Sequence, residues 1–296
     1  MVDLFVLKTF IEVARTHSFR LAAERNHITQ PAVSQQIKLL EQKFNCTLFE
    51  RKSKDVALTE AGLILFSYAE RMLQQYQEAQ DRINEMSNTF QGVIRIATIY
   101  SIGLYQLQPL VRRFLKKYPK VKIHLEYAQS PKIYEMVLNR KIDFGFVAYP
   151  KKVAGITQSI FATDQLKLVQ SREYPTLHKK RVQPQDLNDQ KFISFSSDIP
   201  TGKAINEFLR KYKTYPNLLH TFENIETLKS ALTIGMGFGI VPLSTINHEL
   251  KDKMLEMINL KALDITRPLG IIHIRGKILT KAMQSFYDIV CPEKKG

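Results

Sequence analysis

Apolar residues recur at helical spacing in short bursts through the first 58 positions. Leu4, Leu7, Phe10, Ile11 and Ala14 share one face of a first helix, which ends at His17-Ser18. Ser18 is suited to cap a second helix, Phe19–Asn26, in which Leu21, Ala22 and Ala23 are apolar. Ile28-Thr29-Gln30-Pro31 then opens a third helix. Thr29 can cap it, and Pro31 in the first turn removes an N–H that would have no intrahelical partner. Its buried face is predicted as Val33, Ile37, Leu40 and Phe44, with Asn45 taking the left-handed conformation that ends the helix. Thr47 to Leu58 reads as two short strands around a charged turn, a hairpin wing.

Thr59-Glu60-Ala61-Gly62 begins a much longer helix. Apolar or small residues recur at Ala61, Leu65, Tyr68, Met72, Tyr76, Ala79, Ile83 and Met86, in steps of three and four. A period near 3.5 marks a coiled coil, and this run has no domain of its own to pack against. A dimer seam is therefore expected, extending about 43 Å from Thr59 to Ser87 at roughly 1.5 Å per residue. A single amphipathic helix lying on its own protein is the alternative.

From Val93 onward the period changes. Strands are predicted at Val93–Thr98, Lys122–Ala128 and Ile142–Ala148, with helices at Leu104–Tyr118 and Ile133–Lys141 between them. The alternation continues through Leu166–Gln170, Phe192–Ser196, Ala204–Tyr212, Ile225–Ile234 and Phe238–Pro242, and closes with Leu269–Ile274 and Lys277–Val290. This is the rhythm of a parallel sheet with helices on both faces, and the length suits two such α/β lobes.

Composition narrows the function classes. At 44% apolar residues over 296 positions there is core enough for two or three units. No stretch approaches the ~18 uncharged apolar residues of a membrane span. Met1-Val2-Asp3-Leu4-Phe5 places an acid where a secretory signal carries Lys or Arg, so a cytoplasmic protein is expected. Cys46 and Cys291 form no metal or redox pair and are expected to be reduced thiols. The net charge of +15 suggests nucleic acid, but its distribution argues for restraint. Residues 1–58 hold 9 basic and 6 acidic side chains, and residues 59–90 hold 2 and 5, so the excess lies beyond them. It would aid DNA binding electrostatically, draw in an anionic ligand, or reflect a Lys-rich composition alone.

The stretch Ser18-Phe19-Arg20-Leu21-Ala22-Ala23-Glu24-Arg25, followed by Thr29-Gln30-Pro31-Ala32-Val33-Ser34-Gln35-Gln36-Ile37-Lys38-Leu39-Leu40-Glu41, closely resembles the helix-turn-helix of LysR-type transcriptional regulators. The likeness continues in register through Leu48-Phe49-Glu50-Arg51 and Leu58-Thr59-Glu60-Ala61-Gly62. The residue chemistry agrees independently. With Val33, Ile37 and Leu40 inward, the third helix presents Gln30, Ser34, Gln35 and Lys38, with Thr29 and Pro31 in its first turn. Gln pairs with adenine edges, Ser adapts to several, and Lys reaches guanine or phosphate. Arg51, Lys52 and Lys54 on the wing suit phosphates or a narrow minor groove. A solvated polar face on a bundle helix is the plainer alternative.

The remainder resembles the same family's effector domain, itself similar to periplasmic solute-binding proteins. The marks are Ile102-Gly103-Leu104-Tyr105, Ile142-Asp143-Phe144-Gly145-Phe146-Val147 and Gly235-Met236-Gly237-Phe238-Gly239-Ile240-Val241-Pro242. The glycines at 235–239 follow a helix, and Gly235 suits a helix C-cap better than a dinucleotide loop. The resemblance implies an all-α winged helix-turn-helix over 1–58, a linker and dimerisation helix over 59–90, and an effector domain over 91–296. That domain would comprise two Rossmann-like α/β lobes, 91–161 with 267–296 and 162–266, crossing near Phe161–Thr163 and Leu263–Thr266. The implied effector contacts are Thr98, Tyr100, Ser101, Gln129, Ser130 and Thr201, with Ser101 and Thr201 also placed to cap helices. Ile99 and Tyr100 stand where relatives carry small hydroxylated residues, so Tyr100 is expected to make the pocket smaller or more aromatic.

Catalytic patterns are absent: no HExxH, GxSxG, P-loop or paired-carboxylate motif occurs, and no cofactor is implied. His17, His27, His124 and His273 read as surface or packed residues. The expected partners are double-stranded DNA bearing an inverted repeat, a small anionic metabolite, RNA polymerase and further copies of the chain as a homodimer or homotetramer, with no membrane. A constitutive regulator with a degenerate cleft and a transport-type solute-binding protein are the alternatives.

Overall fold

The computed structural model describes residues 3–52, 55–85 and 91–292. They divide into two compact units.

In the first unit three short helices, α1 (Leu4–Thr16), α2 (Phe19–Asn26) and α3 (Gln30–Phe44), enclose one core built around Phe10, Val33, Ile37 and Leu40. Each helix is bounded by its own sequence. Asp3, Ser18 and Thr29 cap the N-termini through side-chain oxygens, and His17, His27 and Asn45 end them in the left-handed conformation. Phe44, expected inside, is 48% exposed as the last residue of α3, next to the Asn45 cap. The wing follows as an antiparallel pair, β1 (Phe49–Lys52) and β2 (Asp55–Leu58). The Oε1 of Glu41 ties it to α3 by accepting from the backbone N–H groups of Leu48 at 2.8 Å and Phe49 at 3.3 Å.

The long helix α4 runs over Glu60–Glu85. It does have a core to pack on: Ala61, Leu65, Phe66, Ala69 and Leu73 pack against the cluster under α1 to α3. Ala61 and Leu65, read above as part of an intermolecular seam, therefore face inward. Tyr68, Met72, Tyr76 and Ile83 of the same period are about half or more exposed, and Met86 and Ser87 lie outside the described residues.

The second unit contains two lobes. The first has β3 (Gly92–Thr98), a helical run made of α5 (Tyr100–Ile102), a π turn (Gly103–Leu107) and α6 (Gln108–Lys117), then β4 (Val121–Tyr127), α7 (Ser130–Leu138) and β5 (Phe144–Ala148). A strand of 16 residues, β6 (Ile156–Ser171), carries the chain into the second lobe. There follow β7 (Arg181–Val182), β8 (Lys191–Phe195), α8 (Pro200–Lys211), β9 (Asn217–Phe222), α9 (Ile225–Thr233), β10 (Gly239–Pro242), α10 (Asn247–Lys251) and β11 (Leu255–Leu260). The chain returns along β12 (Thr266–Ile274) and ends in α11 (Lys281–Val290).

The sheets are mixed rather than parallel. β3 pairs parallel with β4 and β5, and β8 with β9, as βαβ units require. β12 runs antiparallel to both β5 and β6, and β10 and β11 run antiparallel to β6. The cause is the double crossing: the outgoing and returning strands, β6 and β12, lie side by side over residues 156–165 and 266–274. Their register shifts at Leu269/Gly270, leaving Phe161 as the extra residue of a bulge. Separate cores fill the lobes, one around Phe144, Phe146 and Phe286, the other around Phe192, Ile193 and Phe238. Gly235 takes φ +77° just after α9, the helix-ending role expected of it.

Candidate functional site

Two arrangements on this frame carry chemistry. The first is the outer face of α3. Val33, Ile37 and Leu40 are buried, while Gln30, Pro31, Gln35 and Lys38 are exposed and Ser34 is half-buried. Thr29 is exposed at the helix start and accepts from the N–H of Ala32 at 3.4 Å. The face is held rigidly from behind. Glu12 of α1 pairs with Arg25 of α2 at 3.2 Å, Arg15 with Glu70 of α4 at 3.1 Å, and His17 Nδ1 lies 3.0 Å from the carbonyl of Val56 on the wing. Gly62 lets α4 approach β1 closely, since a Cβ there would lie 2.1 Å from the carbonyl oxygen of Leu48. Arg51 and Lys52 fall on β1 opposite Val56 and Asp55; their side chains, and all of Lys54, lie outside the described residues.

The second is a cleft of about 350 Å³ between the two lobes of the second unit. α7, α8 and α9 all begin on it, at Ser130, Pro200 and Ile225. α8 begins at Pro200 with Ile199 at its N-cap, which offers no side-chain oxygen to the first turn. Gly202 brings that helix against the end of β8, because a Cβ there would meet the carbonyl oxygen of Ser196 at 2.2 Å. Ile99, Ala128, Phe195 and Ile199 give the walls an apolar character.

Of the six residues expected in this site, five line it: Tyr100, Ser101, Gln129, Ser130 and Thr201. Thr98 does not. Its side chain is buried beneath the π turn, where its methyl would meet a Cβ on Gly103 at 2.6 Å, and its hydroxyl donates to the carbonyl of Ile99 at 3.1 Å. Ser101 and Thr201 are not helix caps either. The capping positions are Ile99 and Ile199, and the two hydroxyl residues sit inside their helices. Tyr100 stacks on Tyr127 at 5.0 Å between centroids and 24° between planes, so its ring lies along the wall and the cavity remains open. Gln129 crosses the mouth, donating to Glu223 Oε2 at 2.9 Å.

The residue missed from the sequence is Arg267. It lies on β12, its side chain is 3% exposed, and it lines the cleft. Its Nη2 donates to Ser101 Oγ at 2.6 Å. Asp164 is its register partner on β6, yet Nη1 stays 3.9 Å from the carboxylate. That carboxylate accepts instead from the backbone N–H groups of Gln165 at 2.9 Å and Ser244 at 3.3 Å and from the Ser244 hydroxyl. Arg267 Nε has no partner at all. Burial pulls the guanidinium down to about 10, only partly offset by Asp164 and Tyr149. Its signal in the sequence is a charged residue on a largely apolar strand, one position beyond the expected crossing at Leu263–Thr266. Asp198, Glu223 and Asn224 also line the cleft unanticipated.

Among the described residues no group of three or more His, Cys, Asp or Glu is arranged to hold a metal ion, and no helix is long and apolar enough to cross a membrane.

Comparison with known proteins places both arrangements. Residues 4–63 match the bacterial regulatory helix-turn-helix of the lysR family, and residues 87–292 match the LysR substrate binding domain. A probable RuBisCO transcriptional regulator of Thalassiosira pseudonana is 29% identical over 95% of this chain and 94% of its own. The RuBisCO operon transcriptional regulator of Allochromatium vinosum is 26% identical over 99% and 96%. In fold, the chain is similar to full-length CbnR complexed with its target DNA, at a TM-score of 0.75 and 22% identity over 97% and 98% of the two chains. It is also similar to the Synechocystis PCC6803 CcmR regulatory domain in complex with 2-PG, at a TM-score of 0.61 and 22% identity over 68% of this chain and 96% of that one. With both its helix-turn-helix and its two-lobed domain matched over nearly their whole length, the chain belongs to the LysR family of DNA-binding transcription regulators.

Proposed function

We propose that this regulator reads an inverted-repeat operator through the exposed face of α3, with Gln30, Ser34, Gln35 and Lys38 reaching base edges and Thr29 and Pro31 ordering the first turn. Arg51, Lys52 and Lys54 of the wing would hold phosphates or a minor groove. The observation that carries this reading is the division of α3 into a sealed apolar face and an exposed face of short polar groups. The chain would act in the cytoplasm, on the nucleoid, as a regulator rather than an enzyme, with RNA polymerase its partner at the promoter. Residues 1–58 serve as reader, 59–90 as the helix joining two copies, and 91–296 as effector domain, its lobes 91–161 with 267–296 and 162–266. The exposed stripe Tyr68, Met72, Tyr76 and Ile83 supports the pairing of copies. Tyr100, Ser101, Gln129, Ser130 and Thr201 would contact the effector. Space left beside Tyr100 favours this over a ligand-independent regulator.

The test compares variants on cognate and scrambled operator at two salt concentrations. Gln35→Ala is expected to lose discrimination by about 1–3 kcal/mol at the contacted base pair. Arg51→Ala is expected to weaken binding to both sequences and to flatten the salt dependence. Unchanged sequence preference in the Gln35 variant removes it from the reading face.

A further inference from the structure

The charge of the cleft runs against the charge of the chain. Although the chain carries +15 overall, the cleft lining holds a single cationic side chain, Arg267, and two carboxylates, Asp198 and Glu223. The basic excess that the sequence offered as an attractant for an anionic ligand is therefore absent from the lining.

The positions of these charges differ as much as their signs. Arg267 is buried, held by one hydroxyl and a distant carboxylate, with Nε unpartnered. Leaving a buried cation this poorly compensated is costly unless another group completes its shell. Asp198 and Glu223 are exposed. Each sits just before a helix that opens on the cleft, Asp198 before α8 and Glu223 before the Asn224 cap of α9. Carboxylates there offset the partial positive charge of those two helix N-termini. What remains for an anion is Arg267, Ser101 and the start of α7.

We propose, resting on the reading of this cleft as the effector site, that its ligand is a small molecule with a single anionic group whose far end bears hydrogen-bond donors, a hydroxyl or an ammonium group. The anionic group completes the shell of Arg267 beside Ser101. The donor end faces Glu223, whose Oε2 already accepts from Gln129, and Asp198. A second negative charge at that end meets two carboxylates and is repelled, so Arg267 sets which end of the ligand enters and the two acids set what the other end carries.

The experiment is calorimetric titration of the full-length protein with three probes of equal length: 4-hydroxybutyrate, 4-aminobutyrate and succinate. The hydroxyl and ammonium probes are expected to bind at least about tenfold more tightly than succinate. Asp198→Asn with Glu223→Gln, both surface changes, is expected to recover succinate binding by about the same factor. Arg267→Met combined with Asp164→Asn, which leaves no buried charge unpaired, is expected to abolish binding of all three. Succinate binding as tightly as the others, or indifference to the double surface change, overturns the assignment of a single anionic group while leaving the cleft an effector site. Absence of heat with every probe at millimolar concentration overturns both.

Discussion

Lys277, Lys229 and Arg267 each bury a cationic side chain, and the fold treats them differently. Lys277 Nζ donates to Asp143 at 2.7 Å, and that carboxylate also accepts from the N–H of Arg95 at 2.7 Å. Lys229 lies 2.7 Å from Glu249 and 3.5 Å from Glu226, and donates to the hydroxyl of Tyr105, which in turn donates to Glu226 at 2.6 Å. Burial, with the bond to Glu226, pushes that phenol up to about 12. These two lysines are structural ions with carboxylates in contact; Arg267 has none within hydrogen-bonding distance, which is what separates a binding group from a staple. His273 illustrates a buried base with no acid at all. It is half-buried between the rings of Phe144 and Tyr287, and burial depresses its pKa, with Lys277 adding to the effect. The unfolded chain therefore takes up that proton more readily than the folded one. Stability from this residue is complete above about pH 6.5 and is lost as the pH falls through the depressed folded value. Denaturant titrations at pH 7.5 and 5.5 are expected to show a smaller acid loss in His273→Gln than in the parent; equal losses would mean the imidazole is protonated in place.

At the scale of elements, the first unit was legible because each of its helices is bounded by short-range chemistry. Ser18, Thr29 and Asn45 announce their roles locally, and the structure adds only Asp3, His17 and His27. The second unit is less legible in its sequence. α7 starts at Ser130, three residues before its first apolar position, and β9 is a largely exposed edge strand with no alternation to betray it. The antiparallel direction of β12 was beyond any local pattern, since it follows from the chain leaving and re-entering a lobe. In the cleft, the resemblance pointed to Ser101, Ser130 and Thr201, which line it although Ser101 and Thr201 cap no helix, whereas Arg267 is marked only by its neighbours in space. α4 shows the same limit: its spacing fits both the inner stripe Leu65, Ala69 and Leu73 and the outer stripe Tyr68, Met72 and Tyr76. Gly62→Ala probes the inner stripe, because the new Cβ has backbone rather than a mobile side chain in its way. A loss of about 1–3 kcal/mol in the stability of the first unit is expected, with the second unit's melting unchanged. No loss would show that α4 is free to slide on β1.

For the whole molecule, the outer stripe of α4 bears on assembly. Tyr68, Met72 and Tyr76 are each about half exposed on one helix face, an apolar row that a paired copy would cover. Met72→Asp with Ala79→Asp sets like charges against each other across a paired helix, where an uncompensated buried charge is expensive. Sedimentation is expected to show smaller species that keep the fold of the second unit and bind operator more weakly; an unchanged assembly would place the partner elsewhere. The strands shared by the lobes have a different consequence. Because β6 and β12 span both lobes as one hydrogen-bonded ladder, no flexible joint separates the halves of the second unit. The extra residue at Phe161 interrupts that ladder near its midpoint, so any movement of the lobes on filling the cleft is expected as a twist shared along two strands rather than a swing about one hinge.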